Sequence, residues 1–553
     1  NLSINGVSSA GDILNTNAVF TICPIPGTVS QAYTGLLDDV YLYDRVVNST
    51  EVIALNNGNS NAGVKYVDIN ATGTNNGNSW TNAYTDLNSA LSNLSAGDEI
   101  WVAKGVYNPG SSSSNDYFIN QDNVKIYGGF AGTETDLADR DRSLIHTTNQ
   151  TIFSGDINGD DDNNVAFGNT TRSDNSTHVF VVSGNGTIFD GFTISDGHAV
   201  GTSNINSSGA GIYLVENRAP AFFIDNCIIK DNIAHRGGGI YMNPLFNSNY
   251  RIDACIFENN LSLYASTFYA LPAVATTMGI RVTNSLFNGN RSEDDTAENK
   301  LGLGSPAGWV RGLANNSKIN TTLVNNTFVN NTNDASGANT DFPTFAISIS
   351  STNTALSDFT IANNIFWGNT SNGGATAFAI GRVVDISPIA GTDISNCIDE
   401  EGFSNVSGSG SNISTINPNL TADHKLQSTS ASAINTGLDG QLPSGIVFDL
   451  DGNARVVGSA IDIGAYEYDA SLSTTDLQND LTLRLYPNPT EDILYIDSKN
   501  DVQKVEVYSI LGKMLLKKKE ANTIDLSRLN SGMYLIKITD MNGSTATKRI
   551  IKE

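Results

Sequence analysis

The sequence predicts an all-β protein in which a right-handed parallel β-helix is followed by a small antiparallel β-sandwich and preceded by an incomplete jelly-roll segment. Three observations support this prediction. A seven-residue motif recurs through the middle of the chain. Charged residues make up only 16% of a composition rich in Asn, Ser, Thr and Gly, which suits strands joined by polar turns. The final residues alternate apolar and polar side chains, as at Tyr534, Ile536 and Ile538.

Residues 1–60 form the first element. Strand-like patterns occur at 18–22 and again at 35–45. They resemble the closing strands of a laminin-G-like or concanavalin-like jelly roll, of which only the C-terminal part fits into so short a segment. An irregular β segment is the alternative. Because the chain starts at Asn1 without a signal peptide, we expect the sequence to be part of a longer precursor.

The recurring motif predicts the β-helix, assigned to residues 64–468. Its copies start 35, 28, 30, 41, 38 and 33 residues apart, at Gly191, Asn226, Ala254, Asn284, Asn325, Asn363 and Asn396. Each copy is interpreted as one rung of a coil, whose second and fourth positions, such as Cys227 and Ile229, point inward and stack about 4.8 Å from the next rung. Asn or Gly at the last position suits a left-handed turn, and Asn can form a ladder between rungs.

The length of this segment predicts about a dozen coils at roughly 30 residues each. A β-sandwich is the rival, but it predicts hairpin turns every ~8–12 residues rather than one motif per coil. The apolar residues of 83–94 have helical spacing, which indicates a short amphipathic helix that covers the open end of the stack. Residues 98–103 are expected to form the first strand.

The β-helix segment also resembles a known family. The segments 127–135, 155–161 and 462–468 occur in the order found in pectate-lyase-like β-helix proteins, which are common among secreted proteins of Bacteroidota. That family includes lyases, hydrolases and proteins without an assigned activity, so the resemblance implies the fold but not the function.

Residues 469–480 form a polar linker, and 481–553 form the last domain. The segments 485–496, 505–513, 529–538 and 548–553 resemble the type A C-terminal sorting domain of cargo of the type IX secretion system of Bacteroidota. The resemblance implies a secreted protein delivered to the cell surface or medium. It also implies recognition by an outer-membrane shuttle barrel and the translocon. The residues that carry the resemblance are Pro487, Asn488, Pro489, Gly512, Gly532, Tyr534, Lys548 and Arg549.

Charge and cysteine content exclude several classes of protein. The net charge is −26, and because residues 471–553 have 12 basic and 11 acidic residues, residues 1–470 carry −27. Such an acidic body repels nucleic-acid phosphates, so no nucleic-acid partner is expected. No run of apolar residues is long enough for a transmembrane segment. The four cysteines lack a Cys-x-x-Cys pair, and three of them share one inward position of the repeat.

The acidic turn at 156–162 is the metal candidate. Closely spaced oxygen ligands around a glycine suit Ca²⁺, and the residues concerned are Asp156, Asn158, Asp160, Asp161 and Asp162. The turn lacks the Glu of an EF-hand loop, and a solvated surface loop is the alternative. Calcium is therefore the only cofactor that the sequence suggests.

Two long loops carry aromatic residues that could form a sugar groove. The candidate glycan-binding residues are Tyr264, Phe268, Tyr269, Trp309 and Arg311, and the alternative is that these rings pack the loops onto the coil. Asp295-Thr296-Ala297 resembles a short O-glycosylation motif of Bacteroidota, with Thr296 as the acceptor. The sequence identifies no catalytic residue, because His178, His198 and His235 have different offsets in their coils and are interpreted as surface or turn residues.

These features lead to one hypothesis about function and one alternative. The chain is interpreted as export cargo whose β-helix is an adhesin or glycan-binding rod, with extracellular polysaccharide as its partner. The alternative is a polysaccharide lyase or glycoside hydrolase that acts on extracellular glycans.

Overall fold

The computed structural model describes residues 63–216, 218–296, 304–312, 317–334, 343–349, 357–371, 375–377, 380–381, 392–403, 412–468, 483–486, 490, 492–498, 501–509, 513–519, 522–530, 532–541 and 545–552. The chain divides into two compact units, residues 1–61 and 62–553. The predicted jelly-roll segment 1–60 and the predicted linker 469–480 lie outside the described residues.

The predicted parallel β-helix is confirmed by the strand pairing. The first coils pass through three sheets, named A, B and C, and from His198 onward a fourth, sheet D, lies between B and C; successive coils pair in parallel. Sheet A has ten strands: Val64–Val67, Glu99–Ala103, Lys125–Phe130, Thr187–Asp190, Ala221–Asp225, Ser248–Asp253, Thr277–Thr283, Lys318–Val324, Asp358–Ala362 and Thr392–Ser395. Sheet B has nine: Gly105–Tyr107, Thr151–Ser154, Thr193–Ser195, Ile228–Lys230, Ile256–Glu258, Leu286–Asn288, Thr327–Val329, Ile365–Trp367 and Ile398–Asp399.

The other two sheets complete the coil. Sheet C has eight strands: Tyr117–Ile119, Phe180–Val182, Ile212–Leu214, Ile240–Met242, Phe268–Ala270, Trp309–Gly312, Phe345–Ile349 and Ile380–Gly381. Sheet D has seven: His198–Ala199, Ile233–Ala234, Leu261–Ser262, Arg291–Ser292, Thr332–Asn333, Thr370–Ser371 and the antiparallel Ala375–Thr376. Short 3₁₀ helices occur at Leu137–Asp139, Arg142–Leu144, Thr170–Ser173, Ile205–Ser207 and Asp439–Gln441.

The interior of the coil is built from stacked identical positions. Phe257, Phe287, Phe328 and Phe366 stack face to face along sheet B, with successive ring centroids 4.9, 4.6 and 4.4 Å apart. The cysteines of the repeat are buried, which agrees with their predicted inward position. Each rung therefore buries its apolar side chains against the same side chains of the next rung.

A ladder of buried asparagines runs beside this stack, as the motif predicted. Asn232, Asn260, Asn290, Asn331 and Asn369 are each hydrogen-bonded to the next, with Nδ2 to Oδ1 distances of 2.9–3.1 Å. The predicted left-handed turn at this last position is wrong. Positive φ angles occur instead one residue earlier and at the first position of the motif, because the last residue must point its amide into the ladder.

The N-terminal end of the coil is covered by the predicted helix. It spans Leu87–Leu91, and the carboxylate of Asp86 caps it by accepting a hydrogen bond from the amide of Ser89 at 2.8 Å. Leu87 and Leu91 pack into the main core. The strand Val64–Val67 pairs with Glu99–Ala103 and lies at the end of sheet A. The expectation that residues 98–103 form the first strand is therefore wrong, because they form the second.

The coil is shorter than predicted because the end of the β-helix segment folds back over it. Sheet A has ten strands among the described residues rather than about a dozen. Residues 412–468, which we call the return segment, form none of the strands given above. Leu426 and Ile463 pack on the outward-facing Ile365 and Ile398 of sheet B. Inside the return segment, Arg455 is 1% exposed and lies 3.5 Å from the carboxylate of Glu467.

The tail forms the predicted antiparallel sheets. One has the strands Leu483–Tyr486, Ile493–Ser498 and Thr523–Asp525, and the other has Met514–Lys519, Val502–Ser509, Gly532–Asp540 and Thr545–Lys552. Their apolar faces share a core that contains Leu494, Val507, Ile536 and Ile550. No helix in the described part of the chain is long and apolar enough to cross a membrane.

Candidate functional site

A cleft of about 310 Å³ lies between sheet A and the return segment. Its floor carries Asp190, Asp225 and Asp253, which are aligned on three successive rungs by the register of their strands. Its opposite wall is the loop 444–449 of the return segment. We call this site the charged cleft.

Arginines accompany the aspartates on the same wall. Arg251 contacts both carboxylate oxygens of Asp225 through its Nε and Nη2 atoms, and its guanidinium lies 4.9 Å from the ring centre of Phe223. Arg281 is the register partner of Arg251 on the next rung and also lines the cleft. The Nε atom of Arg281 is buried and has no hydrogen-bond partner among the described residues.

The loop that faces the aspartates presents an exposed ring. Phe448 is 48% exposed, and the guanidinium of Arg142 lies 5.9 Å from its ring centre. The backbone carbonyl of Phe448 accepts a hydrogen bond of 3.2 Å from Nδ2 of Asn284. The next residue, Asp449, accepts hydrogen bonds from backbone amides within the return segment. The ring is therefore held on a fixed loop.

Burial changes the acidity of the floor. It raises the pKa of Asp225 to about 6, although the ion pair with Arg251 opposes this rise. Burial also raises the pKa of Asp253, whose carboxylate accepts hydrogen bonds from Thr283 and Asn284. The charged cleft therefore gains protons at mildly acidic pH, above the ordinary range of aspartate.

A histidine lies at the edge of the charged cleft. Burial lowers the pKa of His146, while the backbone of Asn226 and the charge of Asp190 oppose this shift. Because its imidazole is neutral near pH 7, it can accept a proton there. The sequence analysis missed His146, since it belongs to an irregular segment outside the repeat.

The charged cleft offers three chemical capacities. Its guanidinium groups can bind carboxylate or sulfate groups of a ligand. Its carboxylates can accept hydrogen bonds from hydroxyl groups. Two carboxylates on adjacent or alternate rungs, about 4.8 or 9.6 Å apart, also have separations close to those used by glycoside hydrolases.

Sequence reasoning missed these aspartates, although the sequence contains a signal for them. Asp190, Asp225 and Asp253 each stand directly before one of three consecutive copies of the repeat motif. A position that repeats a carboxylate and faces outward indicates a ladder of charge on one face of the coil. The contribution of Phe448 has no such signal, because it depends on how the return segment folds back.

The predicted glycan-binding rings are mostly inaccessible. Phe268 points into the main core and is fully buried, because it occupies an inward position of sheet C. Tyr269 and Trp309 are 2% and 1% exposed in a separate apolar cluster, against which Tyr264 packs. Arg311 donates a hydrogen bond of 3.0 Å to the Tyr269 hydroxyl. In this structure the rings pack the loops onto the coil, and glycan binding by these residues stays a prediction.

The predicted metal residues divide into two groups. Carboxylate oxygens of Asp156 and Asp160 converge with one from Asp174, within 4.8 Å of one another. Asp161 instead lies 3.4 Å from Arg172. Asp162 accepts hydrogen bonds from Asn164 and Asn169. Calcium at this turn stays a prediction, with Asp174 as an additional ligand.

The sequence analysis interpreted His178, His198 and His235 as surface or turn residues, but His178 and His235 are buried and His198 is half-buried. Burial lowers the pKa values of His178 and His198 to about 4. His235 is buried, and its Nε2 atom lies 3.1 Å from Oδ2 of Asp295. Asp295 precedes the exposed Thr296, whose glycosylation stays a prediction.

The predicted sorting residues are described in part. Pro487, Asn488, Pro489 and Gly512 lie outside the described residues. Gly532 begins a central strand of the tail, and the Tyr534 hydroxyl donates to the backbone carbonyl of Asn530 at 2.7 Å. Lys548 and Arg549 lie on the last strand.

Comparison with known proteins identifies the tail. Residues 484–553 match the family described as "Secretion system C-terminal sorting domain". This segment is a C-terminal sorting domain. The chain is therefore cargo of the type IX secretion system, exported to the cell surface or the extracellular space, and its tail interacts with the translocon.

Other similarities are more limited. Beta-agarase D of Zobellia galactanivorans is 32% identical over 100 residues, which are 18% of this chain and 20% of that protein. The chain thus spans about a fifth of the length of this curated relative. The structure of pectate lyase Pel9A aligns over 73% of this chain and 96% of its own, with 15% identity and a TM-score of 0.35. A rhamnogalacturonan lyase aligns over 63% and 90%, with 13% identity and a TM-score of 0.30. The assignment of the fold rests on strand pairing rather than on these two scores.

Proposed function

We propose that the exported β-helix is a glycan-binding protein that holds an acidic extracellular polysaccharide in the charged cleft. The observation that carries this proposal is the buried Nε atom of Arg281, which lines the cleft without a partner among the described residues. A buried donor without an acceptor destabilises the unliganded state, and a carboxylate of the ligand would satisfy it with a charge-assisted hydrogen bond.

The remaining groups of the cleft suit the rest of such a ligand. Asp190, Asp225 and Asp253 present acceptors for hydroxyl groups on three successive rungs. The exposed ring of Phe448 offers an apolar surface for the carbon face of a sugar. Because the polar groups repeat from rung to rung, the cleft fits consecutive residues of a polymer better than a single sugar.

Hydrolysis of the bound polysaccharide is a second candidate function. Glycoside hydrolases place two carboxyl groups about 5–5.5 Å or 6.5–9.5 Å apart, and one of the two must be protonated. The raised pKa of Asp225, about 6, makes this residue the candidate acid. Asp190 and Asp253 on the adjacent rungs are candidates for the second carboxylate.

Calorimetry with a polygalacturonate hexamer tests the binding proposal. We expect Arg281→Ala to weaken binding about tenfold, as for the loss of one charge-assisted contact. Arg218→Ala, which changes an exposed arginine outside the cleft, should leave binding unchanged. The proposal is wrong if the hexamer binds no better than an uncharged hexamer, or if both variants behave alike.

An assay for new reducing ends, with the same hexamer, separates binding from hydrolysis. If hydrolysis occurs, Asp225→Asn should abolish it, while Asp358→Asn, at a carboxylate that is 76% exposed, should not. Products with an unsaturated bond would instead indicate elimination by a lyase. Binding without either product supports the adhesin or glycan-binding role.

A further inference from the structure

A second cleft, of about 380 Å³, lies between sheet B and another part of the return segment. Its floor is formed by Val329 and Trp367, which are register partners on adjacent rungs. Its wall is the segment 417–429. We call this site the neutral cleft.

Trp367 is the apolar surface of the neutral cleft. Its side chain is half-buried, and it packs together with Leu420 against the cluster that contains Ile365 and Leu426. On the two preceding rungs the same outward position is occupied by Asn288 and Val329. The core of the coil therefore does not require a tryptophan there. A partly exposed indole ring supported from behind offers one face to a ligand.

The rim of the neutral cleft is made of amide and hydroxyl side chains. Asn330, Asn417, Asn419 and Thr429 are exposed there, and Gln427 is half-buried. Amide side chains can both donate and accept hydrogen bonds, as hydroxyl groups of sugars do. This composition therefore matches a ligand that is rich in hydroxyl groups.

Hydrogen bonds hold this rim in place before any ligand binds. Nε2 of Gln427 donates to the backbone carbonyl of Asn419 at 2.7 Å, and the backbone N–H of Asn419 donates to Oδ1 of Asn417 at 2.7 Å. These two bonds leave the side-chain oxygen Oε1 of Gln427 and the side-chain nitrogen Nδ2 of Asn417 available to a ligand. Such pre-organisation reduces the entropy that binding costs.

The described residues that line the neutral cleft include no Asp, Glu, Lys or Arg. The titratable group among them is His424, and burial lowers its pKa below the ordinary value, so that it is neutral at pH 7. An ionic ligand would therefore lose its hydration without gaining a counter-charge. The cleft selects against charged ligands.

We propose that the neutral cleft binds an uncharged oligosaccharide, with the carbon face of a pyranose on Trp367 and its hydroxyl groups on Asn417, Gln427 and Thr429. This site is separate from the charged cleft and does not depend on the function proposed there.

Tryptophan fluorescence and calorimetry of the full chain test the proposal with neutral hexasaccharides of glucose, xylose, mannose and galactose. We expect at least one of them to bind and to change the fluorescence. Trp367→Ala should weaken its binding at least tenfold, and Trp367→Phe, which keeps a ring, should weaken it less. Thr429→Val, which removes one hydroxyl group, should weaken it about threefold.

Two controls keep the test decisive. Phe246→Ala, at a ring that is 58% exposed elsewhere on the chain, should bind the hexasaccharide like the parent. A polygalacturonate hexamer should not compete for this site. The proposal is overturned if no neutral hexasaccharide binds, or if binding survives both Trp367→Ala and Thr429→Val. If Trp367→Ala does not fold, Trp367→Phe and Thr429→Val provide the same decision.

Discussion

The charged and neutral clefts are built in the same way but differ in their chemistry. Each is bounded by an outward face of the coil on one side and by the return segment on the other. The charged cleft carries aspartates and arginines on sheet A, whereas the neutral cleft carries an indole ring on sheet B and amides mainly on the return segment. The coil can support both because outward positions do not contribute to its stacked interior.

The return segment is attached to the coil by asparagines of the repeat. Asn284, Asn325, Asn363 and Asn396 occupy the first position of the motif with positive φ angles, and their side chains donate to backbone carbonyls of the return segment. The same repeated residue thus makes the turn between sheets A and B and attaches the return segment to the coil. Changes at this attachment should affect the two clefts together.

Arg455→Ala should have the largest effect, because it breaks the buried ionic centre of the return segment. Arg455 is 1% exposed, lies near Glu467 and donates to the carbonyl of Gly464 at 2.6 Å. The substitution breaks this buried pair and leaves Glu467 without its arginine partner, so we expect the free energy of unfolding to fall by about 3–5 kcal/mol. Urea unfolding measures the stability, and ligand binding at both clefts should decline together.

Lys425→Ala is the matched control for that prediction. Lys425 lies 2.6 Å from Asp451 in the same return segment, but both side chains are partly exposed. A surface pair of this kind contributes less than about 1 kcal/mol. If Arg455→Ala costs no more than Lys425→Ala, the return segment does not depend on its buried ion pair.

The coil was predictable because each of its elements repeats. The motif starting at Asn226 predicted the inward positions of Cys227 and Ile229, and the Asn ladder followed from its last residue. A conserved spacing is unnecessary for this inference, since loops of different length leave the rungs unchanged. The helix at Leu87–Leu91 was predictable from its own apolar spacing.

The clefts were not predictable in the same way. Asp225 and its neighbours could have been found as an outward carboxylate repeated before the motif, but Phe448 and Gln427 belong to a segment without repeat or strong periodicity. Their positions depend on contacts with residues far away in the chain, such as the bond between Asn325 and Asp462. Phe268 was included among the candidate glycan-binding residues because it is aromatic, but it faces the core. A ring on a strand with apolar flanks faces the core more often than solvent.

Asn325→Gly should separate attachment from backbone strain. Glycine accepts the φ angle of 60° at this position, so the variant mainly removes the hydrogen bond of 2.9 Å from Nδ2 to the carbonyl of Asp462. Because the carbonyl of Asp462 still accepts a hydrogen bond from Arg455, the loss of the bond from Asn325 should lower the free energy of unfolding by about 0.5–1.5 kcal/mol. Asn123→Gly changes an exposed residue with a φ angle of 59° and should cost less than half as much. If urea unfolding shows that the two variants lose equal free energy of unfolding, the side chain of Asn325 does not attach the return segment to the coil.

The pH dependence of binding should distinguish the two clefts. As the pH falls from 7 to 5, Asp225 gains a proton near its pKa of about 6, and Arg251 is released to pair with an anionic ligand. Because the anionic ligand prefers the protonated form of Asp225, its affinity should rise by about tenfold. Neutral hexasaccharide binding should not change between pH 8 and 7, since His424 is already neutral there.

Asp225→Asn supplies the control for this pH profile. The amide cannot titrate, so most of the rise in affinity below pH 7 should disappear, while neutral binding at Trp367 stays the same. A profile for the acidic hexamer that is unchanged by Asp225→Asn would assign the titration to another group, and Asp253 would be the next candidate because burial also raises its pKa.

The salt concentration should have the smallest effect on ligand affinity, and this effect should differ between the charged and the neutral cleft. Arg142 is exposed and Arg281 half-buried, so their attraction for an acidic hexamer is partly screened by ions. Raising the salt concentration from about 0.1 M to about 1 M shortens the screening length from about 10 Å to about 3 Å, and we expect the affinity to fall about threefold. The affinity of a neutral hexasaccharide should change by less, because no lining charge contributes among the described residues of that cleft. Parallel salt dependence in calorimetry would show that both ligands share one site, and the distinction between the charged and the neutral cleft would fail.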